Sequence, residues 1–141
     1  MDFALPSDVA ALADEARAVA IRLAEQADLT EDSWLIGNDA DVARELGRLG
    51  WLGMTWPVAE GGHGRTKLER FVVFEQLISH GAPIASSWFA DRQIGPTLLQ
   101  FGTPEQRARF LPDIVAGTSA WCIGMSEPDA GSDVASLRTR A

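Results

Sequence analysis

The chain has 141 residues, of which 46% are hydrophobic and 23% charged, and its net charge is −8 at pH 7. These values are typical of a globular protein with a sizeable core, and the negative charge argues against a nucleic-acid partner, whose phosphates it would repel. The single cysteine, Cys122, allows no internal disulfide, and no apolar run reaches about 18 residues, the length that a membrane span needs, so we expect a cytoplasmic protein without a membrane span.

Two helices are predicted in the first third of the chain. Apolar residues recur at spacings of three and four from Leu5 to Leu23, which predicts an amphipathic helix over residues 7–27. A second helix is predicted over residues 39–49, with Asn38 as its N-cap and Gly50 as its stop.

A glycine-rich loop follows, with the sequence "GWLGMTWPVAEGGHG" over residues 50–64. It also carries large apolar side chains, notably Trp51 and Trp56. A loop with this much apolar surface must pack against something. We expect the apolar surface around these two tryptophans to be exposed in the chain alone.

Three further helices are predicted between the loop and residue 117. The third covers residues 67–79 and opens with the capping-box spacing of Thr66 and Glu69. The fourth covers residues 84–94, is interrupted by Gly95 and Pro96, and resumes briefly to residue 101. The fifth covers residues 104–116, because Thr103, Pro104 and Gln106 form a second helix-start signal.

The pattern changes to period two after Gly117. Bulky and small residues alternate over residues 120–126, which predicts a strand over residues 121–125. A lone strand leaves its backbone hydrogen-bonding groups without partners. The strand therefore either docks on another chain or opens the sheet of a larger fold.

The stretch "GMSEPDAGSD", residues 124–133, has the composition of a phosphate-binding turn. The amides of Ala130, Gly131 and Ser132 are suited to a nest for an anion, and Ser126 adds a second hydroxyl that could contact the other end of an elongated cofactor. An equally weighted alternative is a hydrogen-bonded turn in which Asp133 caps the next element. The sequence contains no Cys/His metal spacing, no nucleophile elbow and no Walker loop, so we expect no metal site.

The same ten residues resemble the flavin-binding signature of acyl-CoA dehydrogenases at every position. "LGMTWPVAEGGHG" and "RQIGPTLLQFGTPEQRARFLPDIVAGT" are also similar to segments of that family. The resemblance implies a mainly α fold: the N-terminal helical domain of that family over residues 1–117, ending in the first strand of a middle β domain that begins at residues 118–141. A C-terminal helical bundle would lie beyond this chain.

The resemblance also implies FAD as the cofactor and α,β-dehydrogenation of an acyl-CoA thioester as the reaction. Met125 and Ser126 would lie against the isoalloxazine ring, and Gly131 and Ser132 would hold the pyrophosphate. No residue of the chain matches the family's catalytic carboxylate, so we expect no activity from the chain alone. Implied partners are other acyl-CoA dehydrogenase subunits, in a homo- or hetero-oligomer, and an electron-transfer flavoprotein.

The acyl group is expected to enter between the third and fourth predicted helices. The side chains placed near it are Ile84, Ser87, Trp88, Asp91 and Arg92. If Asp91 and Arg92 face the pocket, a ring-bearing or polar acyl group fits better than a plain fatty tail. In the alternative interpretation Trp88 belongs to the core and the two charges form a surface pair.

Two other functions remain open at this point. One is a related flavoenzyme on the same fold, either an acyl-CoA oxidase or a flavin-dependent monooxygenase. The other is a non-catalytic helical subunit that pairs with another chain, which an unpaired strand edge would favour.

Overall fold

The computed structural model describes residues 4–26 and 32–140, and their regular structure is almost entirely helical. The α-helices are α1 (Ser7–Gln26), α2 (Ser33–Ile36), α3 (Ala40–Arg48), α4 (Lys67–Ser79), α5 (Ala85–Phe89), α6 (Gly95–Phe101) and α7 (Pro104–Val115), with a π-helical segment at Ala90–Ile94 and 3-10 turns at Val58–Glu60 and Val134–Ser136. None of the helices in this part of the chain is long and apolar enough to cross a membrane. The predicted C-terminal residue of the first helix, Ala27, lies outside the described residues.

The main core forms where α1 packs along α4. The apolar stripe of α1 is buried at Val9, Ala16 and Leu23, as the spacing predicted, whereas Leu5 before the helix is exposed. Alanines on this face let the two helices approach closely. The core of buried residues also includes Val42 and Leu46 of α3 and three residues of α4: Val73, Phe74 and Leu77.

Helix starts follow the sequence signals, with one exception. Both predicted capping boxes are present, at Thr66 with Glu69 and at Thr103 with Gln106. The N-cap of α3, however, is Asp39 and not Asn38, because the Asp39 carboxylate accepts hydrogen bonds from the N–H groups of Asp41 and Val42. Asn38 instead forms an isolated backbone bridge with Ile84.

The first part of the glycine-rich loop, residues 51–56, is packed inside the domain, whereas most of residues 57–64 are exposed. Trp51, Leu52, Met54 and Trp56 are all buried. The expectation that the two tryptophans carry exposed apolar surface was therefore wrong: Trp51 lies in the core between α1, α3 and α4, and Trp56 lies against α7 and the π-helical segment.

The predicted break at Gly95 and Pro96 is also wrong, since helix continues from α5 through the π-helical segment into α6. A proline inside a helix removes one hydrogen bond and crowds the preceding turn, and the local π-helical turn directly before Pro96 allows the helix to pass it. Gly95 has a packing role: a Cβ there would lie 1.9 Å from Cζ2 of Trp56. The glycine makes room for the indole ring.

Close backbone contact also joins α3 to the end of α7. A Cβ on Gly47 would lie 2.4 Å from the carbonyl of Ala116, and one on Gly117 would lie 1.9 Å from the carbonyl oxygen of Ala43. Gly117 also has a φ of 68°, which disfavours other residues. The two glycines fix where the chain leaves the helical domain.

The strand predicted over residues 121–125 is not formed in the part of the chain that the structure describes. Residues 118–126 have no regular secondary structure there. A strand is stabilised by hydrogen bonds to a neighbouring strand, and the described residues supply no such neighbour. Trp121 nevertheless packs against a second buried cluster, formed by Trp56, Ala90, Leu111 and Ile114. Its ring makes an edge-to-face contact with Phe110, with 5.5 Å between ring centroids.

We predict that Gly95→Ala destabilises the fold. Alanine gains up to about 1 kcal/mol of helix propensity over glycine, but the new methyl group meets a buried indole ring, and overpacking of this kind costs roughly 1–3 kcal/mol. The net change should be a lower urea midpoint in circular dichroism. The matched control is Gly124→Ala, where a Cβ meets nothing within 4 Å; equal midpoints for the two variants would refute the packing role of Gly95.

Candidate functional site

A groove of about 780 Å³ lies between α4 and the continuous helix formed by α5, the π-helical segment and α6. Aromatic, aliphatic and charged side chains contribute to it. The lining residues are Thr55, Lys67, Arg70, Phe71, Phe74, Glu75, Ile78, Ser79, Trp88, Asp91, Arg92 and Pro96. The size is sufficient for a small-molecule ligand.

One face of α4 forms the first wall of the groove. Its lining residues recur at spacings of three and four from Lys67 to Ile78, so they point the same way. Phe71 on this wall is 57% exposed. An aromatic ring with that exposure is available to a ligand or to another protein segment.

Asp91 anchors the second wall through a buried carboxylate. Its side chain has no exposed surface. Oδ1 accepts a hydrogen bond of 2.7 Å from the backbone N–H of Gly53, and Oδ2 accepts from Nε of Arg70 at 2.8 Å and also from Nη2 of Arg70. Burial raises the pKa of the Asp91 carboxyl, and the charge and hydrogen bonds of Arg70 oppose that rise. The carboxylate thus ties α4 and the glycine-rich loop to the helix that carries it.

Arg92, the next residue, is exposed and lies over the Trp88 ring at 4.8 Å from the ring centroid. Trp88 is itself held edge-on against Trp34, with ring centroids 5.8 Å apart. A cation over an indole face is a favourable arrangement. It keeps the guanidinium on the groove, and no residue in the described ranges accepts a hydrogen bond from it.

The five residues predicted near the acyl group divide into two sets. Trp88, Asp91 and Arg92 line the groove, whereas Ile84 and Ser87 are buried and are absent from its lining. The prediction placed the acyl group between these two helices but named no side chain of α4. It therefore missed Lys67, Arg70 and Phe71, which line the groove at helical spacing.

A second cavity, of about 310 Å³, lies between α2, α5 and the segment that leads out of the helical domain. Ser86 and Phe89 line it from α5, and Ala120, Trp121 and Cys122 line it from the outgoing segment. The last of these lining residues, Cys122, comes two positions before residues 124–133, the predicted cofactor motif.

The motif itself contains a tight turn. The N–H of Glu127 donates to the carbonyl of Ala130 at 3.0 Å, and the N–H of Ala130 donates back at 3.1 Å. The Glu127 carboxylate accepts from the N–H groups of Arg138 at 2.9 Å and Thr139 at 2.6 Å, and from the Thr139 hydroxyl. Hydrogen bonds from the Thr139 side chain and from these amides lower the pKa of Glu127. The turn is closed by the chain's own residues.

The four residues predicted to contact FAD lie on the surface of this turn and beside it. Met125 is 66% exposed, and Ser126, Gly131 and Ser132 are exposed as well. Neither serine hydroxyl has a hydrogen-bond partner among residues 4–26 and 32–140. Gly131 has no positive φ, and a Cβ on it would meet nothing within 4 Å.

These observations fit a cofactor contact at the motif. The described part of the chain gives no steric or conformational reason for glycine at position 131, so the close approach that glycine permits is open to a group outside the chain. Two unpaired hydroxyls nearby suit a phosphate or a flavin edge. No group of three or more His, Cys, Asp or Glu side chains within the described ranges is placed to hold a metal.

The sequence comparisons identify the family. Residues 7–118 match the model described as "Acyl-CoA dehydrogenase, N-terminal domain". The chain is similar to "Acyl-CoA dehydrogenase IpdE1" of Mycolicibacterium smegmatis, with 42% identity over 98 residues, which is 70% of this chain and 25% of that protein. It therefore spans about a quarter of the length of the curated relatives that it matches.

Solved structures agree with the sequence match. The one described as "Tcur3481-Tcur3483 steroid ACAD" superposes with a TM-score of 0.84 at 35% identity, covering 99% of this chain and 37% of that one. The ChsE4-ChsE5 complex from Mycobacterium tuberculosis superposes with a TM-score of 0.82 at 31% identity, covering 99% of this chain and 35% of that one. The helical arrangement described above is thus that of an acyl-CoA dehydrogenase N-terminal region.

We predict that Asp91→Ala lowers the free energy of unfolding by about 3–5 kcal/mol, because it leaves the half-buried Arg70 guanidinium and the Gly53 N–H without their acceptor. The double variant Arg70→Met, Asp91→Leu should recover part of this loss, since it removes the unpaired charge. Urea unfolding measures both. The control is Asp14→Ala, which breaks an exposed ion pair with Arg17 at 3.9 Å and should cost less than about 1 kcal/mol.

Proposed function

The chain belongs to the acyl-CoA dehydrogenase family, and on this premise we propose that it is the N-terminal part of an FAD-dependent enzyme that oxidises an acyl-CoA thioester between its α and β carbons. The observation that carries the proposal is the surface at residues 124–133. There a turn closed by Glu127 presents the Ser126 and Ser132 hydroxyls, which have no partner among the described residues, and Gly131, which the described fold does not require.

In this proposal the motif residues hold two parts of the cofactor. Gly131 and Ser132 hold the pyrophosphate through amide and hydroxyl donors. Met125 packs against the flavin ring, and Ser126 points a hydroxyl or amide at the ring edge, where fixed donors stabilise developing negative charge. The chemistry that bound FAD supplies is acceptance of the hydride from the β carbon of the acyl group.

The catalytic base is proposed to lie outside this chain. Glu127 is committed to Arg138 and Thr139, and Asp91 is committed to Arg70 and Gly53. No residue of the chain matches the position of the family's catalytic carboxylate. The remaining length of an acyl-CoA dehydrogenase would provide the base and complete the FAD site. The chain by itself is therefore inactive in this proposal.

The groove between α4 and α5–α6 is the proposed place for the acyl group. Trp88 and Arg92 contact it directly, while Asp91 holds the wall in position through Arg70 and Gly53. Ile84 and Ser87 support the helix from behind. The volume of the groove and its charged residues favour a ring-bearing acyl group over a straight chain, and the "steroid ACAD" among the structural neighbours is consistent with that choice.

A second candidate is a non-catalytic subunit that completes another chain's site. The observation that favours it is the likeness to a complex of two named chains, ChsE4 and ChsE5. In either case the proposed partners are other acyl-CoA dehydrogenase subunits, and the proposed electron acceptor is an electron-transfer flavoprotein.

The test is to purify the complete protein that contains this chain and to assay it with ferrocenium as the electron acceptor. We expect a yellow protein that oxidises an acyl-CoA. Hydrogen peroxide formed from oxygen at a similar rate would indicate an acyl-CoA oxidase. A colourless protein that restores flavin and activity only when mixed with a second subunit would instead support the non-catalytic role.

We predict that Ser132→Ala weakens FAD binding more than Ser126→Ala in the complete protein. Loss of a hydrogen bond to a charged pyrophosphate costs roughly 1.5–3 kcal/mol, so the dissociation constant for FAD should rise about tenfold or more. Flavin fluorescence during titration of the apoprotein measures it. Equal dissociation constants in the two variants would remove Ser132 from the proposed phosphate site.

A further inference from the structure

The groove between α4 and α5–α6 has two chemically different halves. The short turn after α4 reverses the chain, so the helices run in opposite directions, and the Arg70–Asp91 ion pair sets which residues face each other. By backbone position Lys67, Arg70 and Arg92 consequently lie towards one end, although the Arg92 guanidinium reaches back over the Trp88 ring and the Arg70 guanidinium lies over the Phe74 ring. Ile78 and Trp88 lie towards the other.

The groove as a whole carries an excess of positive charge. The groove is lined by three cations, Lys67, Arg70 and Arg92, and by two carboxylates, Glu75 and Asp91, which leaves a surplus of one. Arg70 is satisfied by Asp91. Neither Lys67 nor Arg92 forms an ion pair with any residue that the structure describes. In a chain with a net charge of −8, this is a local site for a monoanion.

The other half suits a rigid apolar body. Trp88 contributes its ring beneath Arg92, Phe74 contributes a mostly buried ring beneath Arg70, and Ile78 adds an aliphatic side chain. Along α4 the distance from Lys67 to Ile78 is about 16 Å at 1.5 Å per residue. A ligand that fills the groove therefore meets apolar side chains along its length and two cations, Arg92 beside the Trp88 ring and Lys67 at one end.

We infer that the acyl group bound in this groove carries a ring system and a remote carboxylate, which Arg92 and Lys67 recognise. This inference rests on the proposed function for the placement of the acyl group. Arg92 is suited to the task because a guanidinium pairs with a carboxylate through two parallel hydrogen bonds, and its stacking on Trp88 holds it in place before the ligand arrives.

The experiment uses the complete enzyme and two matched ligands. One is a cyclohexylpropanoyl-CoA whose ring carries a carboxylate opposite the chain, and the other carries a methyl group at the same position. Rates are measured with the thioesters. Affinities are measured by calorimetry with the corresponding CoA thioethers, which lack the thioester carbonyl and are not oxidised. The quantity of interest is the ratio between the two ligands.

We predict that the enzyme prefers the carboxylate ligand by about tenfold or more in both kcat/KM and Kd, as expected for a charge-assisted hydrogen bond. Arg92→Gln should remove most of this preference, and Lys67→Gln should reduce it. The matched control is Arg109→Gln, because Arg109 lies over Phe110 at 5.0 Å in the same way but outside the groove. It should leave the ratio unchanged.

The outcomes separate this inference from the proposed function. If the enzyme oxidises both thioesters with a ratio near one, or if Arg92→Gln leaves the ratio unchanged, the inference is overturned while the proposed function stands. If neither thioester is oxidised but the affinity ratio depends on Arg92, the proposed function is overturned and the carboxylate site stands. A general loss of folding lowers the rates and affinities for both ligands by the same factor and therefore does not alter the ratio between them.

Discussion

The buried carboxylate of Asp91 is the interaction on which the rest of the domain depends. It is completely enclosed, so its charge must be matched within the fold. Arg70 provides the matching charge from α4, and the backbone of Gly53 provides a donor from the glycine-rich loop. Three segments that are far apart in sequence are thereby held in one relative position. The groove exists because its two walls are joined at this point.

The π-helical segment allows one short stretch to serve both the interior and the groove. Asp91 is directed inward, while Arg92 lies on the groove over Trp88. Gly95, at the end of the same segment, receives the ring of Trp56, which connects the loop to α7. Local π-helical turns are frequently found at functional sites. Here the π-helical turn places the buried carboxylate of Asp91 next to the exposed guanidinium of Arg92.

Much of the helical framework was determined by the sequence itself, because its causes are local. The capping boxes at Thr66 and Thr103 use side chains that bond to amides three residues away, so their presence in the sequence predicts their presence in the fold. The spacing of apolar residues in α1 likewise predicts which face of the helix is buried. The motif at residues 124–133 identified the family for the same reason: its pattern lies in ten consecutive residues.

The tertiary structure alone decided the features that depend on distant partners. From the sequence, Gly95 and Pro96 predict a helix break. The structure shows instead that Gly95 lies within a helix and makes room for the Trp56 ring. The sequence does not show which of the neighbouring charges, Asp91 or Arg92, is buried. Asp91 is the buried one because Arg70, which is distant in sequence, pairs with it. The strand expected over residues 121–125 did not form, because β structure requires a second strand to accept its hydrogen bonds. Helices satisfy their backbone groups within themselves, whereas buried charges, glycine contacts and strands are completed only by residues that the fold brings to them.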